Sequence, residues 1–345
     1  MFNYIWIFLI AVGVSLVFTP ISVKLAHRFG VIDVPTDGRR VHNQPIPRLG
    51  GIAIYLGTIS SILLILPLSK EIAGVLIGGS LIMVIGVIDD IYVLSAKVKL
   101  ACQIICASVL YYFGIRIHFV GIPFGEGYVY FPWVISLIIT VIWVVGITNT
   151  INLIDGLDGL AAGVAAIASF SLAYIAYINQ RPEVAMITLA VAGGALGFLP
   201  FNFNPAKIFM GDGGALFLGF MLAAVSIIGP MKGAAAIATV IPVLVLGLPI
   251  FDTAFAIYRR LIKGKPIMEA DKGHLHHRIL SQGMDQRKTV VILYAISGIL
   301  GVAAVLVNKS MFFDGAVLIV LTSALIYVFT KTQHDEEINE KHHDI

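Results

Sequence analysis

Six aspartates set the chemical question. Asp89, Asp90, Asp155, Asp158 and Asp212 fall at or just beyond the ends of apolar runs, and Asp252 lies about two turns inside one, in a chain with Asp and Glu totalling 20. A carboxylate at membrane depth is costly and marks a candidate site. Asp89 and Asp90 are adjacent at the end of LIMVIGVIDD. Neighbouring carboxylates repel, and a divalent cation relieves the repulsion. Mg²⁺ suits such a place because it takes one or two carboxylates and leaves the rest of its shell to water and phosphate oxygens. Lys97 and Lys99 follow one short loop later and are placed to meet phosphate charge or to pair with the acids. A single interfacial pair reaching for water would look the same; five acids on one side of a bilayer form a pattern.

Three further stretches add to it. In NTINLIDGLDGL, Asn149, Asn152 and Asp155 recur at spacing three, which puts neighbouring members side by side on a helix, and Asp158 follows. Amides beside a carboxylate suit a polar ligand or a metal-bound oxygen. In FNFNPAKIFMGDGGAL, Asn204 precedes a glycine-flanked Asp212 at the start of an apolar run. That aspartate suits a helix cap and equally a metal held on a phosphate. In DKGHLHHRI, His274, His276, His277 and Arg278 form a cluster fitted to phosphate or sugar hydroxyls. Zinc is the weaker reading, since no cysteine accompanies them. PRLGG, with His42 before it and Arg48 inside it, ends the first polar loop and by itself indicates a turn into a helix.

The elements that carry these residues are membrane helices. The 345 residues are 58% hydrophobic and 12% charged, with mean hydropathy +0.94, about half the charge of a soluble chain. Eleven apolar runs are long enough to be spans: 3–23, 50–68, 72–88, 98–115, 133–148, 159–178, 183–201, 214–230, 234–258, 289–307 and 312–330. Assigning connections alternately to the two sides puts 18 of the 23 Lys and Arg on one side and 5 on the other. The richer side is expected to be cytoplasmic, so the N-terminus is outside, the C-terminus inside, and the active-site loops 24–49, 89–98, 149–158, 202–213 and 259–288 face the cytoplasm. The fold class is therefore an all-α polytopic integral membrane protein. One transmembrane catalytic domain covers 1–332, followed by a charged, disordered cytoplasmic tail, 333–345. Alternating residues over 116–132 predict a small outer hairpin. Cys102 and Cys106 are read as free thiols. Pro242 and Pro249 predict a kink or break in the ninth run, which would open a lateral groove for a lipid tail. No internal repeat is visible, which counts against a transporter, the main rival class.

Taken in order from about residue 20 to 290, PRLGG, DDxxxLSAKxKL, NxxNxxDGLDGL, FNFNPAKxFMGDGG and HLHHR closely resemble the motifs of the polyprenyl-phosphate N-acetylhexosamine-1-phosphate transferases. HLHHR resembles the branch that transfers N-acetylglucosamine-1-phosphate, which initiates teichoic acid or O-antigen type glycans. The resemblance implies transfer from UDP-N-acetylglucosamine to undecaprenyl phosphate in the bacterial cytoplasmic membrane, giving undecaprenyl-diphospho-N-acetylglucosamine and UMP. Another UDP-N-acetylhexosamine donor is the alternative. It implies Mg²⁺ as cofactor, with Mn²⁺ as the alternative ion, and metal ligands Asp212 and Asp155. It also implies catalytic roles for Asp89, Asp90, Asp155 and Asp158, and substrate contacts from Arg48, His42, Lys97, Lys99, Asn149, Asn152, Asn204, His274, His276, His277 and Arg278. Direct attack by the lipid phosphate is the expected route, a covalent aspartyl-phosphate the alternative. No nucleic acid partner is expected, and a homodimer is compatible with the reading.

Overall fold

The computed structural model describes residues 2–34, 44–121, 127–229, 235–262, 264 and 273–343, with side chains described up to residue 328 apart from 235–239. His42, Asp271 and Lys272, and the tip of the expected outer hairpin, lie outside the described residues.

Thirteen helices are seen among the described residues: α1 (Phe2–Phe29), α2 (Gly51–Ile65), α3 (Lys70–Tyr92), α4 (Ala96–Tyr112), α5 (Trp133–Ile154), α6 (Leu160–Ile178), α7 (Pro182–Asn202), α8 (Gly211–Ile228), α9 (Ala235–Val245), α10 (Gly247–Ile262), α11 (Leu275–Ser281), α12 (Gln286–Asn308) and α13 (Phe312–His343). Seven of them, α1, α3, α5, α6, α7, α8 and α12, are long and apolar enough to cross a membrane, and α2 and α13 carry shorter apolar stretches. The outer surface agrees with that reading. Leu64 is 70% exposed and Val320 66% exposed, which water would penalise and lipid tails do not.

The expected spans and the observed helices differ in an informative way. The runs read as 72–88, 133–148 and 214–230 are the helices α3, α5 and α8, which extend past the apolar residues to take in Asp89 and Asp90, Asn149 and Asn152, and Asp212. The polar residues therefore stand on the last or first helical turns rather than in loops. The ninth run is two helices. α9 and α10 are separated at Leu246, with Pro242 in α9 and Pro249 in the first turn of α10. The backbone of α13 continues through the segment expected to be a disordered tail, as far as His343.

Two small sheets complete the fold. β1 (Ile32–Asp33) pairs antiparallel with β2 (Ile46–Pro47). β3 (Phe119–Gly121) pairs antiparallel with β4 (Tyr128–Tyr130), the hairpin that the alternation predicted. Cys102 and Cys106 are both free, as read.

α8 lies at the centre, buried over almost its whole length and packed against α3, α5, α2 and α6. Glycines let these helices meet at the α8 N-terminus. A Cβ on Gly86 of α3 would collide with Gly213 Cα, and one on Gly51 of α2 with the backbone of Gly214. Small residues are what allow close backbone approach between helices in lipid. Here they bring the ends of α2 and α3 against the first turn of α8.

Candidate active site

The position of Asp212 follows from its backbone. The stretch PRLGG threads between two partners: the Arg48 N–H donates to Val31 O at 3.1 Å, the Phe209 N–H to Pro47 O at 2.8 Å, the Gly50 N–H to Phe209 O at 2.9 Å and the Gly51 N–H to Met210 O at 2.8 Å. The loop before α8 is thus tied to the loop before α2. Gly211 has φ +71°, a left-handed conformation that favours glycine. Asp90 completes the anchoring. Its carboxylate accepts the N–H groups of Asp212 at 2.8 Å and Gly213 at 3.0 Å. The first turn of a helix leaves N–H groups without partners, and here a side chain from another helix satisfies two of them.

Around Asp212 the charges alternate. Arg48 lies between two acids, Nε 3.4 Å from Asp90 and a terminal nitrogen 3.3 Å from Asp212. Lys99 reaches Asp89 at 2.7 Å and Asp212 at 3.4 Å. Asn152 donates to Asp212 Oδ1 at 2.7 Å. Asp89 also accepts the Leu94 N–H at 2.7 Å. The side chains of Asp90 and Asp89 are 1% and 6% exposed, against 21% for Asp212, 17% for Lys99 and 36% for Arg48. Asp89 and Asp90 therefore hold the cations and the backbone in place, while Asp212 and its two cations meet solvent. Burial works against the Arg48 charge, but Asp90, Asp212, Asp33 and Asp155 outweigh it and keep the guanidinium firmly protonated.

Asp155 caps the end of α5, and its carboxylate has no hydrogen bond or ion pair among the described residues. Burial pushes it up to about 7 against the pull of Arg48, and Asp212, Asp90 and Asp158 add to the rise. An acid held this way has less positive charge about it than its burial and its acidic neighbours call for. No group of three His, Cys, Asp or Glu side chains among the described residues is arranged to enclose a metal ion. An ion such as Mg²⁺ does not need one, because phosphate and water oxygens complete its shell. Asp212 and Asp155 feel each other's charge and are the carboxylates that could supply the protein's share of such a shell.

Asp158 has a different task. It accepts the Asn204 side-chain amide and the Ala206 N–H, both at 3.0 Å, and the Asn204 amide donates also to Gln286 at 2.7 Å. Both residues are thereby committed to shaping the 202–209 loop. Asn149 forms a closed amide pair with Gln103, at 2.7 and 3.1 Å.

A cavity of about 890 Å³ opens beside this cluster. Lys99 and Asn152 line it and both reach back to Asp212. Its polar end adds Arg260, His274, His276 and His277. The rest of its lining is largely apolar, with Ile139, Ile142 and Trp143 from α5 and Ile250 and Ile257 from α10, and Thr253 between those two. His276 is buried, its Nε2 has no hydrogen-bond partner among the described residues, and it sits against Gly156, where a side chain would strike it. Burial, and then His277, push its pKa down to about 3, so the ring is neutral.

The structure brings together Arg48, Asp89, Asp90, Lys99, Asn152, Asp155 and Asp212, with Asn149 and the three histidines around the adjoining cavity. It does not bring Arg278 there. Arg278 lies over the Phe255 ring and lines a separate apolar pocket between α10 and α13. Lys97 is exposed at the start of α4, outside the cavity lining. The sequence reading gave no role to Gln103, Arg260 or Asp252. Only Asp252 carried a signal, an acid inside an apolar run.

Residues 72–230 match the profile of glycosyl transferase family 4. The chain is 36% identical over 88% of its length, and 84% of the relative's, to the probable undecaprenyl-phosphate N-acetylglucosaminyl 1-phosphate transferase of Bacillus subtilis. It is 37% identical over 89% of its length, and 82% of the relative's, to the decaprenyl-phosphate N-acetylglucosaminephosphotransferase of Mycolicibacterium smegmatis. It is 25% identical over 89% of its length, and 84% of the relative's, to the undecaprenyl-phosphate alpha-N-acetylglucosaminyl 1-phosphate transferase of Escherichia coli.

Proposed function

This chain belongs to the polyprenyl-phosphate N-acetylhexosamine-1-phosphate transferases of glycosyl transferase family 4, and from that premise we infer that it is a membrane phosphotransferase passing N-acetylglucosamine-1-phosphate to a polyprenyl phosphate. The donor is UDP-N-acetylglucosamine, the acceptor undecaprenyl phosphate, and the products are UMP and undecaprenyl-diphospho-N-acetylglucosamine, the first intermediate of an envelope glycan. The observation that carries the reading is the cavity itself. One end presents Lys99, Asn152 and the histidines beside Asp212, and the remainder is an apolar trough between α5 and α10. A molecule that is half anion and half hydrocarbon matches both parts.

In the reaction an oxygen of the lipid phosphate attacks the β-phosphorus of the donor, and the bond from that phosphorus to the bridging oxygen breaks, releasing UMP. Little covalent work falls to the protein; positioning and charge compensation supply the catalysis. Lys99, held by Asp89, and Arg48, held by Asp90, bring fixed positive charge to a place where two anions must approach. Asn152 orients Asp212 through its amide. Asp212 and Asp155 would hold the metal, which when bound supplies a Lewis acid on the diphosphate oxygens; Mg²⁺ is the expected ion, with Mn²⁺ the alternative. The bias of 18 Lys and Arg against 5 supports a cytoplasmic site reached by a soluble nucleotide.

The test is turnover by purified protein in detergent with Mg²⁺, UDP-N-acetylglucosamine and undecaprenyl phosphate. UMP release is expected from the parent and a fall of roughly a thousandfold in kcat from Asp212→Ala, the scale of lost electrostatic stabilisation. A parent preparation that binds lipid but releases no UMP would overturn the reading.

A further inference from the structure

Asp252 is an ionisable group that the reaction as described leaves unused. It stands on α10 and lines the pocket between α10 and α13, while its partner His274 lines the main cavity on the other side. Both side chains are nearly enclosed, at 8% and 7% exposure. One Asp252 oxygen lies 2.9 Å from His274 Nδ1, and the other accepts the Leu275 N–H at 2.7 Å. A carboxylate offers only lone pairs, so Nδ1 carries the hydrogen in this contact. In the neutral ring Nε2 is then left as a lone pair.

The ring is held in orientation as well as in tautomer. It stacks on His276 with centroids 5.8 Å apart and planes 8° from parallel, and that neighbour is neutral. A lone pair at Nε2 repels phosphate oxygens and accepts from O–H or N–H. The cavity also carries a cation that suits a diphosphate, Lys99, which reaches Asp212.

We propose that Asp252 is a positioning residue that makes His274 a hydrogen-bond acceptor for the sugar half of the donor, reading a hydroxyl or the amide N–H of the hexosamine. The assignment rests on the sugar-nucleotide reading above and adds the residue that sets the polarity of the contact. A site that must receive an O–H or N–H discriminates strongly against a ligand lacking it.

Asp252→Asn separates the two jobs of the carboxylate. The asparagine oxygen still accepts the Leu275 N–H, but its amide donates to Nδ1 and moves the imidazole hydrogen to Nε2. The expected result is a KM for UDP-N-acetylglucosamine raised roughly ten- to hundredfold. Competitive inhibition by UDP, which lacks the sugar, stays unchanged, as does the KM for undecaprenyl phosphate. His274→Ala gives the same pattern, and the double variant is no worse than either single one, as expected for residues acting through one contact. If Asp252→Asn behaves like the parent while Asp252→Ala is impaired, the carboxylate only anchors α11 and the proposal fails. It fails equally if Asp252→Asn weakens UDP as much as the sugar nucleotide. Absence of UMP release by the parent would count instead against the transferase reading; calorimetric binding of UDP-N-acetylglucosamine and UDP to the same variants would then decide the tautomer question alone.

Discussion

Asp155 and Asp212 share a neighbourhood but not a state. Asp212 is met by Arg48, Lys99 and Asn152, whereas burial without a hydrogen bond pushes Asp155 from an ordinary value of 3.8 up to about 7. A carboxyl whose folded value lies above its unfolded one binds more protons in the folded state between those limits. Stability then falls as pH rises through roughly 4 to 7. With EDTA present, the melting temperature of the parent in detergent is expected to decline across that window, and Asp155→Asn to flatten the decline. Mg²⁺ should raise the parent's melting temperature more at pH 7.5 than at pH 5, because the ion binds the charged form, and should do less for the variant. Equal slopes for parent and variant without metal would show that Asp155 is not the group responsible. The identities of these acids were readable from the chain, because ionisable residues at the ends of apolar runs are rare. Their division of labour was not. That Asp90 is spent on two backbone N–H groups, and Asp158 on Asn204 and Ala206, depends on residues far apart in sequence meeting in space.

At the scale of elements, the site depends on how closely α3 and α2 approach the first turn of α8. Gly86→Ala puts a methyl group against Gly213 Cα, and backbone cannot rotate aside as a side chain would. A loss of about 1–3 kcal/mol is expected from such overpacking, read as a lower melting temperature, with a fall in kcat because Asp212 sits one residue away. Gly13→Ala in α1, where an added Cβ meets nothing within 4 Å, is the control and should leave both unchanged. Indifference to Gly86→Ala would mean that α3 and α8 tolerate separation and that the close contact does not set the site. The element types were largely legible: long apolar runs, a hairpin from alternating residues, a break from two prolines. What the pattern missed is where helices stop. Apolar runs end where lipid ends, but helical hydrogen bonding continues for a turn or more, and those added turns carry Asp89, Asp90, Asn149 and Asn152. PRLGG, read only as a turn, holds the loop before Asp212 through backbone contacts that leave no mark on composition. Arg278 falls on the far side of α11 from the cavity, a matter of helix rotation that a cluster of motif letters does not fix.

For the molecule as a whole, the question is how a hydrocarbon tail and a water-soluble nucleotide reach one phosphorus atom. The separation of α9 from α10 at Leu246 bears on it, because α10 supplies the apolar wall opposite α5. Pro249 has no N–H to offer Val245, four residues earlier, so the helical ladder is interrupted there. Alanine at 249 restores the donor and allows the two helices to join into one, which would carry Ile250 and Ile257 away from Trp143 and Ile142. Pro249→Ala is therefore expected to raise the KM for undecaprenyl phosphate several-fold while leaving competitive inhibition by UDP unchanged, since Asp212, Lys99 and Asn152 belong to other helices. The parent should also lose affinity for acceptors as their prenyl chains are shortened, and the variant should be less sensitive to that shortening because less of the tail is held. Steady-state kinetics with long- and short-chain polyprenyl phosphates measures both effects together. If Pro249→Ala leaves the lipid KM and kcat at parent values, and chain length matters equally to both proteins, the trough between α5 and α10 is not where the acceptor's tail lies.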